Sequence, residues 1–464
     1  MAGSYFSDDT IIAVATSLAA DAGVGIIRVS GKNAKAVALK LDPNFKSEPA
    51  RYLHRIQICK MATGEVLDDG LSVYFRAGAS FTGEEVVELQ LHGGRHVLQA
   101  VLQEALSTGL CRLALPGEFS FQAVRNGKLS LSGASALQKM ISARSDLEVK
   151  VARNTLSNDR MADIRKMGDI VRDLLTKVEL SIDFVDQDVE VTTSEFILDK
   201  ANEVITSCDR IIKKVNSARR VAQGFEVVLL GEPNAGKSTL FNAMLAEDRA
   251  IVSPIAGTTR DIITEELLVG PYRLRLADTA GIRGTSEVIE ATGVERALML
   301  ASAAEIVLHI YDGTSVSVDA LKELCVLPKK NNSIVVVTKA DLMTPENTAR
   351  IRSELVGIEP VVFVSAKSGT GLLELFEAIR TVLDANHGDA KSGFLATEYQ
   401  LDMLVRFQKA VLEACTLVKT RGLRDPELVS AELRIAAQAL ENVIGETTPD
   451  TVLTKIFSEF CIGK

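Results

Sequence analysis

The segment Gly231-Glu232-Pro233-Asn234-Ala235-Gly236-Lys237-Ser238 constrains this chain more than any other, because it fits the phosphate-loop spacing G-x-x-x-x-G-K-[ST]. It follows the apolar run Val227-Val228-Leu229-Leu230, which reads as a buried strand, and precedes Thr239-Leu240-Phe241-Asn242-Ala243-Met244-Leu245, which reads as a helix. Glycines let backbone N–H groups curl round a phosphate at a helix N-terminus. Lys237 then reaches the β- and γ-phosphates, and the Ser238 hydroxyl can ligate Mg²⁺. A nucleotide is the expected ligand.

Motifs further along point to guanine. Gly257-Thr258-Thr259-Arg260-Asp261 is a small polar loop in which Thr259 can complete a Mg²⁺ shell. The alternating strand Leu274-Arg275-Leu276-Ala277 leads into Asp278-Thr279-Ala280-Gly281, where an acid holds the metal through water and a glycine N–H senses the γ-phosphate. The strand Ile334-Val335-Val336-Val337 ends in Thr338-Lys339-Ala340-Asp341, and a carboxylate there accepts from both N1–H and the N2 amine of guanine, a pair that adenine lacks. Val361-Val362-Phe363-Val364 opens onto Ser365-Ala366-Lys367, whose backbone can meet guanine O6. Each tetrapeptide is weak alone; five in this order, most of them at strand ends, specify a GTP site.

At 464 residues the chain exceeds what one core usually holds, so two to four domains are expected. With 47% hydrophobic and 24% charged residues it reads as an ordinary globular protein. A net charge of −9 argues against a chain that coats itself with nucleic acid, so RNA must meet a local basic face or one supplied by a partner, and no DNA partner is expected. The cysteines Cys59, Cys111, Cys208, Cys325, Cys415 and Cys461 form no C-x-x-C pair, which suits a reducing cytoplasm and neither a disulfide framework nor a zinc site. No apolar run has the length of a membrane span, and Asp8-Asp9 near a start without basic residues is unlike a secretory signal.

Proline spacing divides the chain. None lies between Pro116 and Pro233, and residues 132–185 and 194–220 carry apolar side chains at helical spacing, such as Val171, Leu174, Leu175, Val178 and Ile182. Residues 395–420 and 427–444 return to that spacing. The reading is an α+β N-terminal domain over 1–120, a discontinuous all-α helical domain over 121–221 plus 385–464, and an inserted Ras-like α/β P-loop GTPase domain over 222–384. Two separate helical domains are the alternative. In the first domain, short β-like runs (Ile11–Ala15, Val24–Val29, Leu53–Cys59, Leu71–Phe75, Val86–Leu91) alternate with helical patterns around 33–41 and 95–107.

The whole chain resembles the bacterial tRNA-modification GTPase family called MnmE or TrmE. The resemblance is carried by Gly23-Val24-Gly25-Ile26-Ile27-Arg28-Val29-Ser30-Gly31, Phe81-Thr82-Gly83-Glu84, Leu91-His92-Gly93-Gly94, Pro116-Gly117-Glu118-Phe119-Ser120, Asn126-Gly127-Lys128-Leu129, the GTPase motifs, and the terminal Phe460-Cys461-Ile462-Gly463-Lys464. It implies a homodimer formed through N-terminal domains that bind a one-carbon carrier, 5-formyltetrahydrofolate or methylenetetrahydrofolate. It also implies a heterotetramer with the FAD-binding partner MnmG (GidA), which together act on the wobble uridine of tRNA. By motif, the folate site would use Arg28, Glu88, Lys128 and Lys464.

For the GTPase, the resemblance implies nucleotide contacts from Asn234 through Thr239 and from the run Ser253-Pro254-Ile255-Ala256-Gly257-Thr258-Thr259. It implies K⁺ held by Asn234, Ser253, Ile255 and Thr258, and a water-orienting role for Glu290, which by itself reads as a solvated helix acid. Ile282 stands where Ras-like proteins keep a water-orienting Gln, so another group must do that work. The chain departs from the family pattern at Ser17–Ala22, at Gln122-Ala123-Val124-Arg125, at Ser135, and at Thr338, which replaces the usual Asn and is expected to loosen the bridge to the phosphate loop.

Two function classes remain: a GTPase of tRNA wobble-uridine modification, and a GTP-timed ribosome-assembly or RNA-binding factor. The terminal Cys-Ile-Gly-Lys and the folate-like domain favour the first, and the cluster Arg210, Lys213, Lys214, Arg219 and Arg220 is the nearest thing to a basic patch, though by itself it reads as a solvated helix face. Asp341→Asn should exchange guanine for xanthine preference, since an amide donates to xanthine O2 where a carboxylate cannot. Competition titration with GTP and XTP checks this, and undiminished GTP affinity would show that Asp341 does not read the base.

Overall fold

The computed structural model describes residues 5–18, 22–157, 159–183, 192–248, 264–277, 301–302, 304–315, 332–357, 360–444, 457, 460 and 463. Backbone contacts divide the chain into two compact units, one of Met1–Ile141, Thr155–Asp209 and Ala396–Lys464, the other of Ser142–Asn154 and Arg210–Leu395.

Strands β1 (Ile11–Val14), β2 (Ala22–Ser30), β3 (Leu53–Cys59), β4 (Val66–Phe75), β5 (Val86–Gly93) and β6 (Arg112–Leu113) form a sheet in the first unit, ordered β3-β4-β5-β2-β1-β6. All neighbours are antiparallel except β1 and β6. Alternation decides which face is covered: Ile27, Val29, Val87, Leu89 and Leu91 point into a core shared with helices α1 (Ala34–Leu41) and α2 (Arg95–Ser107). Arg28 and Glu88, one residue out of phase, lie on the other face and directly opposite each other. The sequence reading missed the short β6 and the first residues of β4, where Asp68, Asp69 and Gly70 break the apolar alternation.

The helical stretch read over 132–185 is three helices, α4 (Leu131–Ser142), α5 (Asp146–Leu156) and α6 (Asp159–Asp183), preceded by α3 (Glu118–Arg125). The first break has a local cause. Ser145 accepts from Glu148 N–H (3.2 Å) and the Glu148 carboxylate accepts from Arg144 N–H (2.8 Å), so the Ser-x-x-Glu run starts a new helix. Then follow α7 (Ser194–Gln223), α8 (Lys237–Asp248), α9 (Pro345–Glu354), α10 (Leu372–His387), α11 (Glu398–Arg421) and α12 (Pro426–Ile444). Helix α11 starts from a reciprocal cap between Thr397 and Gln400 and buries Leu404, Phe407, Val411 and Val418 at helical spacing. It packs on α12, which packs on α6. Among the described residues no helix is long and apolar enough to cross a membrane.

The second unit holds β7 (Phe225–Gly231), β8 (Thr264–Val269), β9 (Tyr272–Ala277), β10 (Ile306–Asp312), β11 (Ser333–Thr338) and β12 (Val361–Phe363), ordered β12-β11-β10-β7-β9-β8. Every pair is parallel except β8 with β9. Parallel strands buried on both faces read as continuous apolar runs, as Val227–Leu229 and Ile334–Val337 do. Both β8 and β10 escaped the sequence reading. Arg273 on β9 donates to Glu148 (2.5 Å), to Glu266 (2.8 Å) and to the Ala222 carbonyl (2.9 Å), so one guanidinium joins α5, β8 and the end of α7 to the sheet. Glu148 is only 7% exposed. Arg273→Met should therefore strand a buried carboxylate and cost about 3–5 kcal/mol. Urea unfolding followed by tyrosine fluorescence and circular dichroism checks this, and a midpoint equal to wild type would contradict it.

Candidate nucleotide site

Strand order turns round at β7: β9 and β8 continue to one side of it, and β10, β11 and β12 to the other. In an open parallel sheet such a switch point forms a crevice at the carboxyl ends of the strands. The segment Gly231–Ser238 leaves β7 at that point and runs into the N-terminus of α8. Asn234 (φ +64°) and Gly236 (φ +90°) adopt left-handed backbone, which curls the loop back on itself, and Ala235 N–H bonds to the Glu232 carbonyl (3.3 Å). Asn234 is exposed, Ala235 buried, and the Ser238 and Thr239 hydroxyls lie at the open end of the helix. Lys237 donates to the carbonyls of Gly231 (2.7 Å) and Glu232 (2.8 Å), which holds its ammonium across the mouth of the loop.

Thr338 and Lys339 follow at the end of β11. The Thr338 side chain is 2% exposed, and its hydroxyl lies 2.6 Å from the Ala235 carbonyl and 3.0 Å from that of Tyr311. The expectation that this residue loosens the bridge to the phosphate loop therefore meets a direct contact: the shorter side chain reaches the loop because β11 ends beside it. Lys339 takes left-handed backbone (φ +57°) and pairs with Asp312 at the end of β10 (2.5 Å). Burial disfavours the Asp312 carboxylate, but bonds from Lys339 and Thr314 outweigh it and hold its pKa below the usual carboxylate range. Sequence reasoning missed Asp312, and its signal was an acid closing the apolar run Ile306–Ile310.

Ala340 N–H bonds to the Val364 carbonyl (3.2 Å), and Val364 N–H to that of Val337 (2.8 Å), so the loops after β11 and β12 are stitched side by side. Asp341 is exposed on a short 3-10 turn, Ser365 is 1% exposed, and Ala366 and Lys367 line the outer part of the second loop. Three of the five motifs thus meet at one edge of the sheet. Ser253, Pro254, Ile255, Ala256, Gly257, Thr258, Thr259, Asp278, Thr279, Ala280, Gly281 and Glu290 lie outside the described residues.

In the first unit, Arg28 donates to Glu88 Oε1 through Nε and Nη2, both at 2.8 Å, which leaves Oε2 for a further donor. The guanidinium lies 5.7 Å from the Phe119 ring centroid and 6.0 Å from that of Phe81. Arg28 and Glu88, read separately from the sequence, are one pair. The loop bearing Phe81 is pinned from below: Thr82 contacts Ser30 (2.8 Å), Ser30 donates to Gln122 (2.7 Å), Asn126 donates to the Thr82 carbonyl (2.8 Å), and Lys128 donates to that of Gly78. Lys464 lies outside the described residues. Its neighbour Gly463 sits against β1, where a Cβ would lie 2.3 Å from the Val14 carbonyl oxygen, and Phe457 and Phe460 pack with Phe121, Leu131 and Ala134.

Two family models match the chain: one described as the MnmE helical domain over residues 131–461, and one described as the GTP-binding protein TrmE N-terminus over residues 10–128. The tRNA modification GTPase MnmE of Aquifex aeolicus (strain VF5) is 36% identical over 456 residues, covering 98% of this chain and all of that protein. Its counterpart in Legionella pneumophila (strain Corby) is 37% identical over 468 residues, covering 99% of this chain and all of that protein. The solved G domain of the T. maritima FeoB iron transporter is 27% identical, covers 34% of this chain and 98% of that one, and has a TM-score of 0.25.

Thr338→Val keeps the side-chain shape and removes the hydroxyl, leaving the Ala235 carbonyl short of a donor. The cost of about 1–2 kcal/mol should weaken GTP by roughly five- to thirtyfold while guanine preference over adenine persists. Titration with a fluorescent guanine nucleotide measures this, and unchanged affinity would remove the bridge from the binding energy.

Proposed function

The chain belongs to the MnmE family of tRNA modification GTPases, and from that premise we propose that it couples GTP hydrolysis to the addition of an aminomethyl or carboxymethylaminomethyl group at carbon 5 of the tRNA wobble uridine. The reading takes residues 1–120 as a folate-binding dimerisation domain, 121–221 with 385–464 as the helical domain, and 222–384 as the GTPase domain. It places the protein in the cytoplasm as a homodimer that forms a heterotetramer with FAD-binding MnmG. The observation that supports it best is the phosphate loop at the β7 switch point, tied through Thr338 to the loop carrying Asp341.

The residues have a division of labour on this reading. Backbone N–H groups of the loop Asn234–Ser238 cradle the phosphates, and Lys237 exchanges its bonds to the Gly231 and Glu232 carbonyls for phosphate oxygens. Asp341 reads the base edge, and the backbone of Ser365–Lys367 meets O6. The exposed Ser238 and Asn234 side chains offer oxygens that fit hard cations, Mg²⁺ with Thr259 and K⁺ with Ser253, Ile255 and Thr258. Bound there, the cations offset negative charge on the phosphates. Glu290 orients the attacking water. In the folate pocket, Glu88 Oε2 is positioned to accept from a guanine-like pterin edge, while Lys128 and Lys464 offer cations to the carboxylate tail.

Hydrolysis should be fast in K⁺ and slow in Na⁺ at equal ionic strength, and Asn234→Ala should flatten that difference; equal turnover of the wild type in the two salts would remove K⁺ from the mechanism. Deleting Cys461–Lys464 should lower 5-formyltetrahydrofolate affinity and abolish tRNA modification while leaving intrinsic GTP hydrolysis largely intact, because the nucleotide loops belong to the other compact unit. Calorimetric titration decides this, and unchanged affinity with intact modification would remove the tail from the folate site.

A further inference from the structure

We propose that the C-terminal part of helix α7 is a contact surface for the phosphate backbone of tRNA, centred on Arg210, Lys213 and Lys214. The proposal rests on the family's tRNA substrate class. Residues 210–220 hold five cations and no acid, in a chain where acids outnumber bases 61 to 52. Burial fixes which way they face. Ile211, Val215, Ala218 and Val221 are buried along one side of the helix, so Lys213 and Arg220 fall on the opposite, outward arc and exposed Arg210 on its flank, while half-buried Lys214 starts from the side nearer the core, from which a long side chain can reach the surface. Eleven residues of helix carry that stripe over about 15 Å.

Arg220 pairs with Glu305 at 3.4 Å, but Arg210, Lys213 and Lys214 make no ion pair among the described residues. The adjoining acid, Asp209, accepts from Gln408 (2.6 Å). Arg210 stands three and four residues from Lys213 and Lys214, and like charges at those spacings weaken a helix, so a polyanion would relieve a repulsion that no acid among the described residues offsets through an ion pair. A row of cations at helical spacing fits a ribose-phosphate backbone, which supplies regularly repeated negative charge and requires no base reading.

The test is tRNA binding by the full-length chain between about 50 and 200 mM KCl. The triple variant Arg210→Gln/Lys213→Gln/Lys214→Gln should lower affinity and flatten the plot of log affinity against log salt by about one unit for each phosphate that the helix no longer meets, up to three. A control of equal charge change, Lys166→Gln/Lys177→Gln/Lys200→Gln, removes cations already paired with Glu203 and Asp173 and should keep the wild-type slope. GTP hydrolysis should be unchanged in both. A triple variant with the wild-type slope, a control whose slope flattens as much, or a wild-type chain without tRNA affinity overturns the surface. If tRNA nucleosides still depend on the chain in that event, the modification reading stands and only the surface falls.

Discussion

The reversal of strand order at β7 is the constraint on which the nucleotide site depends. Because β9 and β10 flank β7 on opposite sides, the chain leaving β7 enters an open crevice, and the loops after β11 and β12 emerge at the same edge. Topology alone brings the loops near; polar contacts fix their spacing. The Thr338 hydroxyl meets the phosphate loop, Lys339 meets Asp312, and Ala340 N–H meets the Val364 carbonyl. The buried Thr338 contact ties the Gly231–Ser238 loop to the loop after β11, and the other two hold that second loop against the end of β10 and the loop after β12.

The first unit uses a comparable device on a different scaffold. An antiparallel sheet places Arg28 and Glu88 face to face, and a chain of side chains from Ser30 through Thr82 and Gln122 holds the Phe81 loop over them. Gln122 lies where the sequence departs from its family's usual pattern, and its oxygen accepts from Ser30 in the buried interior. The departure thus takes part in supporting the Phe81 loop. The C-terminal Phe457 and Phe460 pack against Phe121 of helix α3, and Gly463 meets Val14, so the end of the chain is anchored on the domain that begins it.

Motifs whose chemistry is local were legible in the sequence. The phosphate loop announces itself through glycine spacing, and helices α11 and α12 through apolar periodicity. Features that depend on partners distant in the chain were not. The extension of β4 through Asp68-Asp69-Gly70 follows from pairing with β3, since its own residues oppose a strand. Asp312 gains its place only when β10 and β11 lie side by side. Thr338 was read as a departure from the usual Asn, and its contact with Ala235 is set by where β11 ends in the sheet. The helix break at Ser145, by contrast, was written in a Ser-x-x-Glu run that periodicity alone passes over.

The central claim is that GTP turnover in this phosphate loop drives a tRNA modification. It is tested most directly by mass analysis of nucleosides from bulk tRNA in cells lacking the chain, complemented with either wild type or Lys237→Ala. The account predicts that carbon-5-modified wobble uridines vanish on deletion, return with wild type and stay absent with Lys237→Ala. A nucleoside profile unchanged by deletion, or fully restored by Lys237→Ala, would contradict it.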